Sequence, residues 1–243
     1  MSQLEAALEA KVQHAISLLQ EAEGKYAKVT FANSLGAEDV VIAHLISQHA
    51  PGISQFCLDT GRLPEETLNL LAKIQQELGI KVQVFYPEAA DVEAYVSANG
   101  INAFYESLEL RKACCNVRKI KPLKRALAGQ DAWITGIRRE QSVTREQVPF
   151  SEYDLSNGLD KVNPLADWSE KEVWAYIRAF NVPYNALHDR HYPSIGCAPC
   201  TRSVTVGEDV RSGRWWWENA DLRECGLHPG GASPLSSSLK RPG

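Results

Sequence analysis

The sequence predicts an α/β fold, in which a mostly parallel sheet carries helices on both faces. The main observation is a regular alternation: short apolar runs end in loops, and helical segments follow. Such alternation is typical of βαβ units with right-handed crossovers. The second is size, since a chain of 243 residues with 44% hydrophobic residues can bury a large core without disulfides. The sequence contains no internal repeat.

The first predicted element is an amphipathic helix over residues 2–23. Its apolar residues recur at helical spacing: Leu4, Leu8, Val12, Ile16 and Leu19. An apolar strand at 29–31 then enters a turn at Ser34–Gly36, and Glu38 and Asp39 open the next helix. This is the first strand–loop–helix unit.

The same pattern continues along the chain. The further predicted elements are strands over 53–61, 81–87 and 131–139 and helices over 63–78 and 169–183. Ser169 is the predicted N-cap of the last helix, which ends before Pro183. We treat residues 1–229 as one domain and expect the Ser/Gly/Pro-rich residues 230–243 to form a disordered tail.

The charge balance and the hydropathy of the chain argue against a nucleic-acid-coating or a membrane-spanning protein. The chain has 26 basic and 30 acidic residues, a net charge of -4, which does not suit a protein that coats nucleic acid. No apolar run approaches the ~18 residues of a membrane span, and the acidic N-terminus is unlike a signal peptide. We therefore expect a cytoplasmic protein, without a nucleic-acid or membrane partner, whose thiols stay reduced.

Three loops follow predicted strands and are candidates for ligand binding: Ser34–Asp39, Asp59–Arg62 and Gly136–Arg139. Parallel sheets bind ligands beyond the carboxyl ends of their strands. A Ser/Gly turn that leads into a helix offers backbone N–H groups to a phosphate or sulfate. One such loop with a single glycine favours a plain strand–helix turn, but the three loops together favour a nucleotide site.

Four cysteines form two pairs, the adjacent Cys114–Cys115 and the spaced Cys197 and Cys200. In a reducing compartment they predict a structural zinc ion or an iron–sulfur cluster. Adjacent cysteines on a helix point about 100° apart, which favours a cubane cluster over one tetrahedral ion. A redox dithiol at the spaced pair is the alternative, but it would not need the adjacent pair.

Cys225 stands apart from the two pairs and is a candidate nucleophile. Nearby cations favour a reactive thiolate; His228 lies three residues away, and Arg211 and Arg214 precede it. The alternative is an incidental structural thiol. Cys57 lies in an apolar strand and is expected to be core.

The segment 111–125 carries seven positive charges and no acid. Such a field could offset the charge of thiolate ligands or hold an anionic substrate. A solvated helix face or an RNA-binding patch is the alternative. Nucleic-acid binding would favour interleaved aromatic residues, and the segment has none.

Seven motifs, in order, resemble the assimilatory adenylyl-sulfate (APS) reductases, which belong with the phosphoadenylyl-sulfate (PAPS) reductases. They are SLGAED, LDTGRLPEET, KACCNVRKIKPL, TGIRREQS, SIGCAPCTR, GRWWWE and ECGLH. The resemblance covers about residues 25–229. It implies an adenine-nucleotide α-hydrolase-like (PP-loop) fold and one 4Fe–4S cluster held by four thiols: Cys114, Cys115, Cys197 and Cys200.

The resemblance also implies a reaction. Cys225 would attack the sulfur of adenosine 5′-phosphosulfate, expel AMP and carry the sulfonate as S-sulfocysteine. Thioredoxin or a similar dithiol protein would then release sulfite. In this family the cluster cysteines accompany the use of APS rather than PAPS. The sequence leaves a homo-oligomer and the preferred reductant open.

The substrate contacts implied by the resemblance are Ser34, Gly36, Leu58, Thr60, Lys119, Gly136, Arg145, Arg211, Arg214 and His228. Two departures from the family pattern stand out. Leu35 occupies a position where some members carry a second serine, and the stretch QSVTR is one residue shorter than in some relatives. The second departure bears directly on the assignment of Arg145.

Two other classes of function stay open at this point. A PP-loop ATP pyrophosphatase would use the same sheet, but such enzymes usually carry a Ser-Gly-Gly-x-Asp-Ser loop, and SLGAED has one glycine. A zinc module or redox sensor would make the cysteines structural. Metal analysis of protein purified without oxygen separates this last class from a reductase.

Overall fold

The computed structural model describes residues 5–141 and 145–218. The strands are β1 (Val29–Ala32), β2 (Ser54–Leu58), β3 (Val82–Phe85), β4 (Ala132–Ile134), β5 (Ser151–Asp154) and β6 (Leu159–Val162). The helices are α1 (Ala6–Lys25), α2 (Ala37–His49), α3 (Glu65–Leu78), α4 (Ala89–Asn99), α5 (Leu108–Cys115), α6 (Lys121–Leu127) and α7 (Glu170–Phe180). A π-helical turn, Asn116–Ile120, joins α5 to α6.

The described strands form one six-stranded sheet in the order β3-β2-β1-β4-β6-β5. All neighbouring pairs are parallel except β5 and β6, which are antiparallel. This confirms the predicted mostly parallel sheet. The two strands after β4 were not predicted, because SEYD and LDKV lack the apolar run that marked the earlier strands.

Two hydrophobic clusters lie on opposite faces of the sheet. On one face α1, α2, α3 and α7 pack together, with fully buried residues such as Leu19, Val41 and Ile177. On the other face Leu123 and Leu127 of α6 belong to a cluster that includes Phe56 and Trp133 of the sheet. Successive side chains of a strand alternate between faces, so the predicted two-faced packing is confirmed.

Several predicted boundaries need correction. The strand predicted over 131–139 ends at Ile134, after which the chain forms the loop of the candidate site. The last helix ends at Phe180 rather than near Pro183, because Asn181 adopts a left-handed conformation (φ 51°) that stops it. The predicted N-cap is confirmed, since Ser169 and Glu172 form a capping box.

Some predictions fall outside the described residues: the first residues of the N-terminal helix, Cys225, His228 and the tail over 230–243. Within the described part of the chain, no helix combines the length and the apolar character needed to cross a membrane. The predicted domain boundary after residue 229 and the cytoplasmic location stay predictions.

Strand order places the candidate loops together. The chain builds β2 and β3 on one side of β1 and then returns to lay β4 on the other side. Because β1, β2 and β4 are parallel, their carboxyl ends meet at one edge of the sheet. This is the point at which the strand order reverses, where open α/β sheets bind their ligands.

Candidate active site

A cavity of about 520 Å³ opens at the carboxyl ends of the central strands. Nine of the ten predicted substrate contacts line it: Ser34, Gly36, Leu58, Thr60, Lys119, Gly136, Arg145, Arg211 and Arg214. The tenth, His228, lies outside the described residues, as does Cys225. Residues far apart in the sequence therefore meet in one place.

The loop between β1 and α2 turns sharply at Leu35. The Asn33 side chain accepts a hydrogen bond from the Leu35 N–H at 2.9 Å, and Leu35 adopts a left-handed backbone conformation with φ 65°. Its side chain is only 1% exposed. The residue that stands in place of a second serine thus packs in the core, and Ser34 and the backbone supply the polar groups of this loop.

Asp39, in the first turn of α2, links two of the predicted loops. Its carboxylate accepts the Ser34 N–H at 2.6 Å. A Cβ atom on Gly136 would lie 2.0 Å from Asp39 Oδ1, so only glycine fits there. Burial raises the pKa of Asp39 to about 7, against the hydrogen bonds from Ser34. The sequence placed Asp39 at the end of a candidate loop and at the start of a helix, but it gave no sign of this contact between the two loops.

Beside Asp39, a charged network supports the wall of the cavity. The buried Arg138 donates to Glu38 at 2.8 Å and to Glu140 at 3.0 Å. Gln141 donates to the same Glu38 oxygen and accepts from Arg145 at 2.6 Å. Arg145 is therefore oriented through Gln141. Arg138 lies in a loop that the sequence predicted as a candidate, but its burial and the part played by Gln141 were not predicted, because a charged or polar loop residue carries no signal of burial.

A second, smaller cavity adjoins the first. It is lined by the four predicted ligand cysteines, Cys114, Cys115, Cys197 and Cys200, and by Arg62, Phe104, Arg111, Arg118, Lys119, Pro199 and Trp215. Within residues 5–141 and 145–218, no three Cys, His or acidic side chains are arranged to hold a metal ion. The four thiols therefore do not converge on a single metal ion, but they share one cavity whose lining includes four cationic side chains.

The surroundings of the thiols shift their pKa values in different directions. Burial raises the pKa of Cys114, and it raises the pKa of Cys200 to about 12. Burial also acts to raise the pKa of Cys197, but Lys119 and a hydrogen bond with Thr60, with help from two arginines, outweigh it and leave the pKa lowered. The Thr60 Oγ1 to Cys197 Sγ distance is 3.3 Å. The basic segment therefore favours a thiolate here.

Lys119 lines both cavities, as does Trp215. Lys119 lies in the π-helical turn that follows the adjacent cysteines. Such turns often occur at functional sites. The neighbouring Arg118 is buried and donates to the Thr60 carbonyl at 2.7 Å, which ties this turn to the loop after β2.

Arg214 is held at the border of the two cavities. Its guanidinium donates to the Ile195 carbonyl at 3.2 Å and lies 4.6 Å from the ring centre of Trp215. A Cβ atom on Gly196 would lie 2.2 Å from Arg214 Nη2, so a side chain at this position would have to displace the guanidinium. Cys57, in contrast, is buried in the main core as predicted.

Comparison with known proteins decides the family. Residues 28–203 match the model of the phosphoadenosine phosphosulfate reductase domain. The chain belongs to the phosphoadenosine phosphosulfate reductase family. The matched residues include every described strand and both cysteine pairs.

Two similar members of this family are both named adenosine 5′-phosphosulfate reductase. A relative from Allochromatium vinosum, named adenosine 5′-phosphosulfate reductase, is 56% identical over 214 residues, which cover 88% of this chain and 84% of the relative. A relative of that name from Burkholderia cepacia is 50% identical over 233 residues, covering 96% of this chain and 93% of the relative.

Solved structures agree with the family fold. A phosphoadenylyl-sulfate reductase from Candida auris, in a phosphate complex, has a TM-score of 0.68 at 24% identity and covers 84% of this chain and 99% of that chain. The FMN adenylyltransferase of Candida glabrata has a TM-score of 0.57 at 12% identity, covering 92% and 78%. At these identities the likeness shows the fold alone, and it confirms the predicted PP-loop-type sheet.

Proposed function

We propose that the chain reduces adenosine 5′-phosphosulfate to sulfite and AMP. The observation that carries the proposal is the convergence of nine predicted substrate contacts on one cavity that shares Lys119 with the cavity of the four cysteines. The high identity to relatives named adenosine 5′-phosphosulfate reductase supports this substrate over its 3′-phosphorylated form.

The nucleotide would occupy the larger cavity at the switch point. Backbone N–H groups of the Ser34 loop and the N-terminal end of α2 suit an anionic group. Five lysine and arginine side chains line the cavity, and one of them, Arg138, is paired with Glu38 and Glu140. The other four would neutralise the phosphosulfate: Lys119, Arg145, Arg211 and Arg214. Held in this way, the phosphate of AMP becomes a better leaving group.

The Cys225 thiolate would attack the sulfur of the bound phosphosulfate. A Cys225 S–S bond to the sulfonate forms as the bond from sulfur to the phosphate oxygen breaks, and AMP leaves with the electron pair. A dithiol protein such as thioredoxin would then attack Cys225 Sγ and release sulfite. The second thiol of the dithiol protein then attacks this mixed disulfide, which frees the Cys225 thiolate and leaves the dithiol oxidised. The dithiol therefore supplies both electrons of the reduction.

We further propose that the four thiols hold a 4Fe–4S cluster. The donor set supports it, because four sulfur ligands line one cavity whose rim carries Arg62, Arg111, Arg118 and Lys119. The cluster would order this basic segment and tune the local field without donating electrons to the substrate. The residues of this chain, Lys119 above all, would carry that effect to the neighbouring nucleotide cavity.

The test is sulfite and AMP formation from adenosine 5′-phosphosulfate with reduced thioredoxin. Wild-type protein should form both products, and Cys225→Ser should form neither while its iron and sulfide content stays at the wild-type level. Turnover by Cys225→Ser would disprove the thiol mechanism. One zinc ion without iron, or AMP and pyrophosphate from ATP, would indicate the zinc module or the pyrophosphatase instead.

A further inference from the structure

Residues 214–218 form the last described segment of the chain, and both cysteine-bearing segments hold it. On one side, Thr201 and Arg214 form an antiparallel bridge, and the Trp215 N–H donates to the Cys200 carbonyl at 3.3 Å. These contacts join the segment directly to the turn that contains the spaced cysteine pair.

On the other side, the segment is held by an ion pair with the helix of the adjacent cysteines. Arg111, on α5, donates through Nε and Nη2 to the two carboxylate oxygens of Glu218, at 2.9 and 2.8 Å. The side chains are only 1% and 7% exposed. Arg111 lies three residues before Cys114. A buried ion pair adds little net stability, but removing one partner leaves the other charge buried and unpaired. The pair therefore fixes the position of this segment relative to α5.

Trp215 lies between these two attachments in a strained conformation. Its φ is 43°, which is unusual for a bulky residue, and its side chain is 1% exposed. Its ring lies 4.8 Å from the guanidinium of Arg111 and 4.6 Å from that of Arg214. Strain of this kind persists only where the surroundings impose it. The two guanidinium contacts and the Glu218 pair supply that constraint.

We propose that Arg111 and Glu218 are positioning residues that hold the chain leading to Cys225 against the two cysteine-bearing segments. We call this arrangement of Arg111, Trp215 and Glu218 the latch. The proposal rests on the proposed function, because it assigns Cys225 as the nucleophile. Cys225 lies seven positions after Glu218, a reach of at most about 25 Å, so the place where the latch holds the chain limits where the thiol can go.

The latch also couples the two cysteine-bearing segments to the nucleophile. Well-ordered cysteine-bearing segments favour formation of the latch contacts. By linkage, formation of those contacts stabilises the ordered segments by the same free energy. Arg111 lines the cavity of the four cysteines, and its guanidinium pairs with Glu218. The pair is thus part of the wall around the thiols.

The test compares Glu218→Gln with Glu208→Gln, a matched change in an exposed ion pair with Arg202. The first measurement is amide hydrogen exchange of the peptide spanning 211–218, which includes the Trp215 and Glu218 N–H groups. The second is the single-turnover rate at which Cys225 gains one SO3 group from adenosine 5′-phosphosulfate. The third is the affinity for AMP.

Glu218→Gln should speed exchange in this peptide about ten-fold and slow sulfonation by about ten- to a hundred-fold, since small misplacements cost that much. AMP affinity should change less than about three-fold, and Glu208→Gln should match wild type throughout. Unchanged exchange in Glu218→Gln would overturn the latch. Loss of AMP affinity in proportion to the sulfonation rate would overturn the positioning role.

A second variant separates positioning from folding. Arg111→Met combined with Glu218→Gln removes both charges, so it should recover the thermal stability that Glu218→Gln loses, while sulfonation stays slow. Recovery of the rate with the stability would overturn the proposal. If wild type itself gains no SO3 group, the proposed function fails, and hydrogen exchange still decides whether the latch exists.

Discussion

At the scale of single residues, the contact between Gly136 and Asp39 best explains how the cavity is shaped. The Asp39 carboxylate occupies the space that a side chain at Gly136 would need and also accepts the Ser34 N–H. One buried carboxyl thus sets the distance between the loops after β1 and β4. The sequence predicted both loops, but it could not reveal a contact that depends on how two strands are paired.

The Gly136→Ala variant tests this contact. A methyl group 2.0 Å from Asp39 Oδ1 must push the two loops apart, so AMP binding measured by calorimetry should weaken at least about ten-fold, or 1.4 kcal/mol. Gly24→Ala is the control, because nothing lies within 4 Å of its Cβ position. Equal affinities in Gly136→Ala and wild type would contradict the account of this cavity wall.

Asp39 also predicts a pH dependence of stability. Burial raises its pKa from 3.8 to about 7 in the folded protein. Between these values the unfolded chain releases the proton while the folded chain keeps it, so the free energy of unfolding should fall as pH rises from about 4 to about 7, by a few kcal/mol. The free energy of unfolding of Asp39→Asn, measured with urea across this pH range, should not show that decrease. The same decrease in Asp39→Asn and in wild type would contradict the assignment to Asp39.

At the scale of elements, the π-helical turn Asn116–Ile120 decides how the basic segment works. Seven positive charges were visible in the sequence, and Lys119, four residues beyond Cys115, was the one predicted to reach the substrate, but the sequence did not predict the turn that places it. The turn interrupts the helix directly after Cys115 and sends Lys119 to the border of the two cavities. Other cations of the basic segment lie in different surroundings: Arg118 is buried, and Lys124 is exposed.

Lys119→Ala should therefore differ from Lys124→Ala. Removing Lys119 takes a cation from a partly enclosed anion site and should weaken binding of adenosine 5′-phosphosulfate by about ten- to a hundred-fold. Removing the exposed Lys124 should change affinity less than about two-fold. The measurement is the equilibrium dissociation constant of each variant at one ionic strength. Similar losses in both variants would mean that only the overall charge of the segment matters.

The elements differed in how well the sequence predicted them. Apolar runs such as those of β1 and β2 and the Ser169 capping box were visible because burial and capping leave local patterns. The polar hairpin of β5 and β6 was missed because it pairs at the edge of the sheet with few apolar residues. The π-helical turn was missed because its five residues, NVRKI, carry no local pattern that distinguishes them from an ordinary helical turn.

At the scale of the whole molecule, two cavities share a wall, and that arrangement joins the cysteine cavity to the cavity in which we propose that the nucleotide binds. Lys119 and Trp215 belong to both linings. The grouping of two cysteine pairs more than 80 positions apart in the sequence was predicted from their chemistry, and the structure brings all four to one cavity. Their surroundings, including the Arg111–Glu218 pair, depend on the fold as a whole.

Removal of iron by a chelator tests this link. If the cluster orders the shared wall, AMP affinity should fall about ten-fold or more in the iron-free protein, because Lys119 is then less well placed. The oxidation state of iron, followed by electron paramagnetic resonance, should stay constant during turnover of the intact protein. A cluster that cycles between oxidation states in step with sulfite release would contradict a purely organising role.

The central claim is that one thiol accepts a sulfonate group from an activated sulfate. The most direct test is the intact mass of protein purified without oxygen and mixed with adenosine 5′-phosphosulfate in the absence of any reductant. We predict a gain of one SO3 group per chain, carried by the peptide that contains Cys225, together with one equivalent of AMP. An unchanged mass, or a sulfonate found on one of the four paired cysteines, would contradict the account.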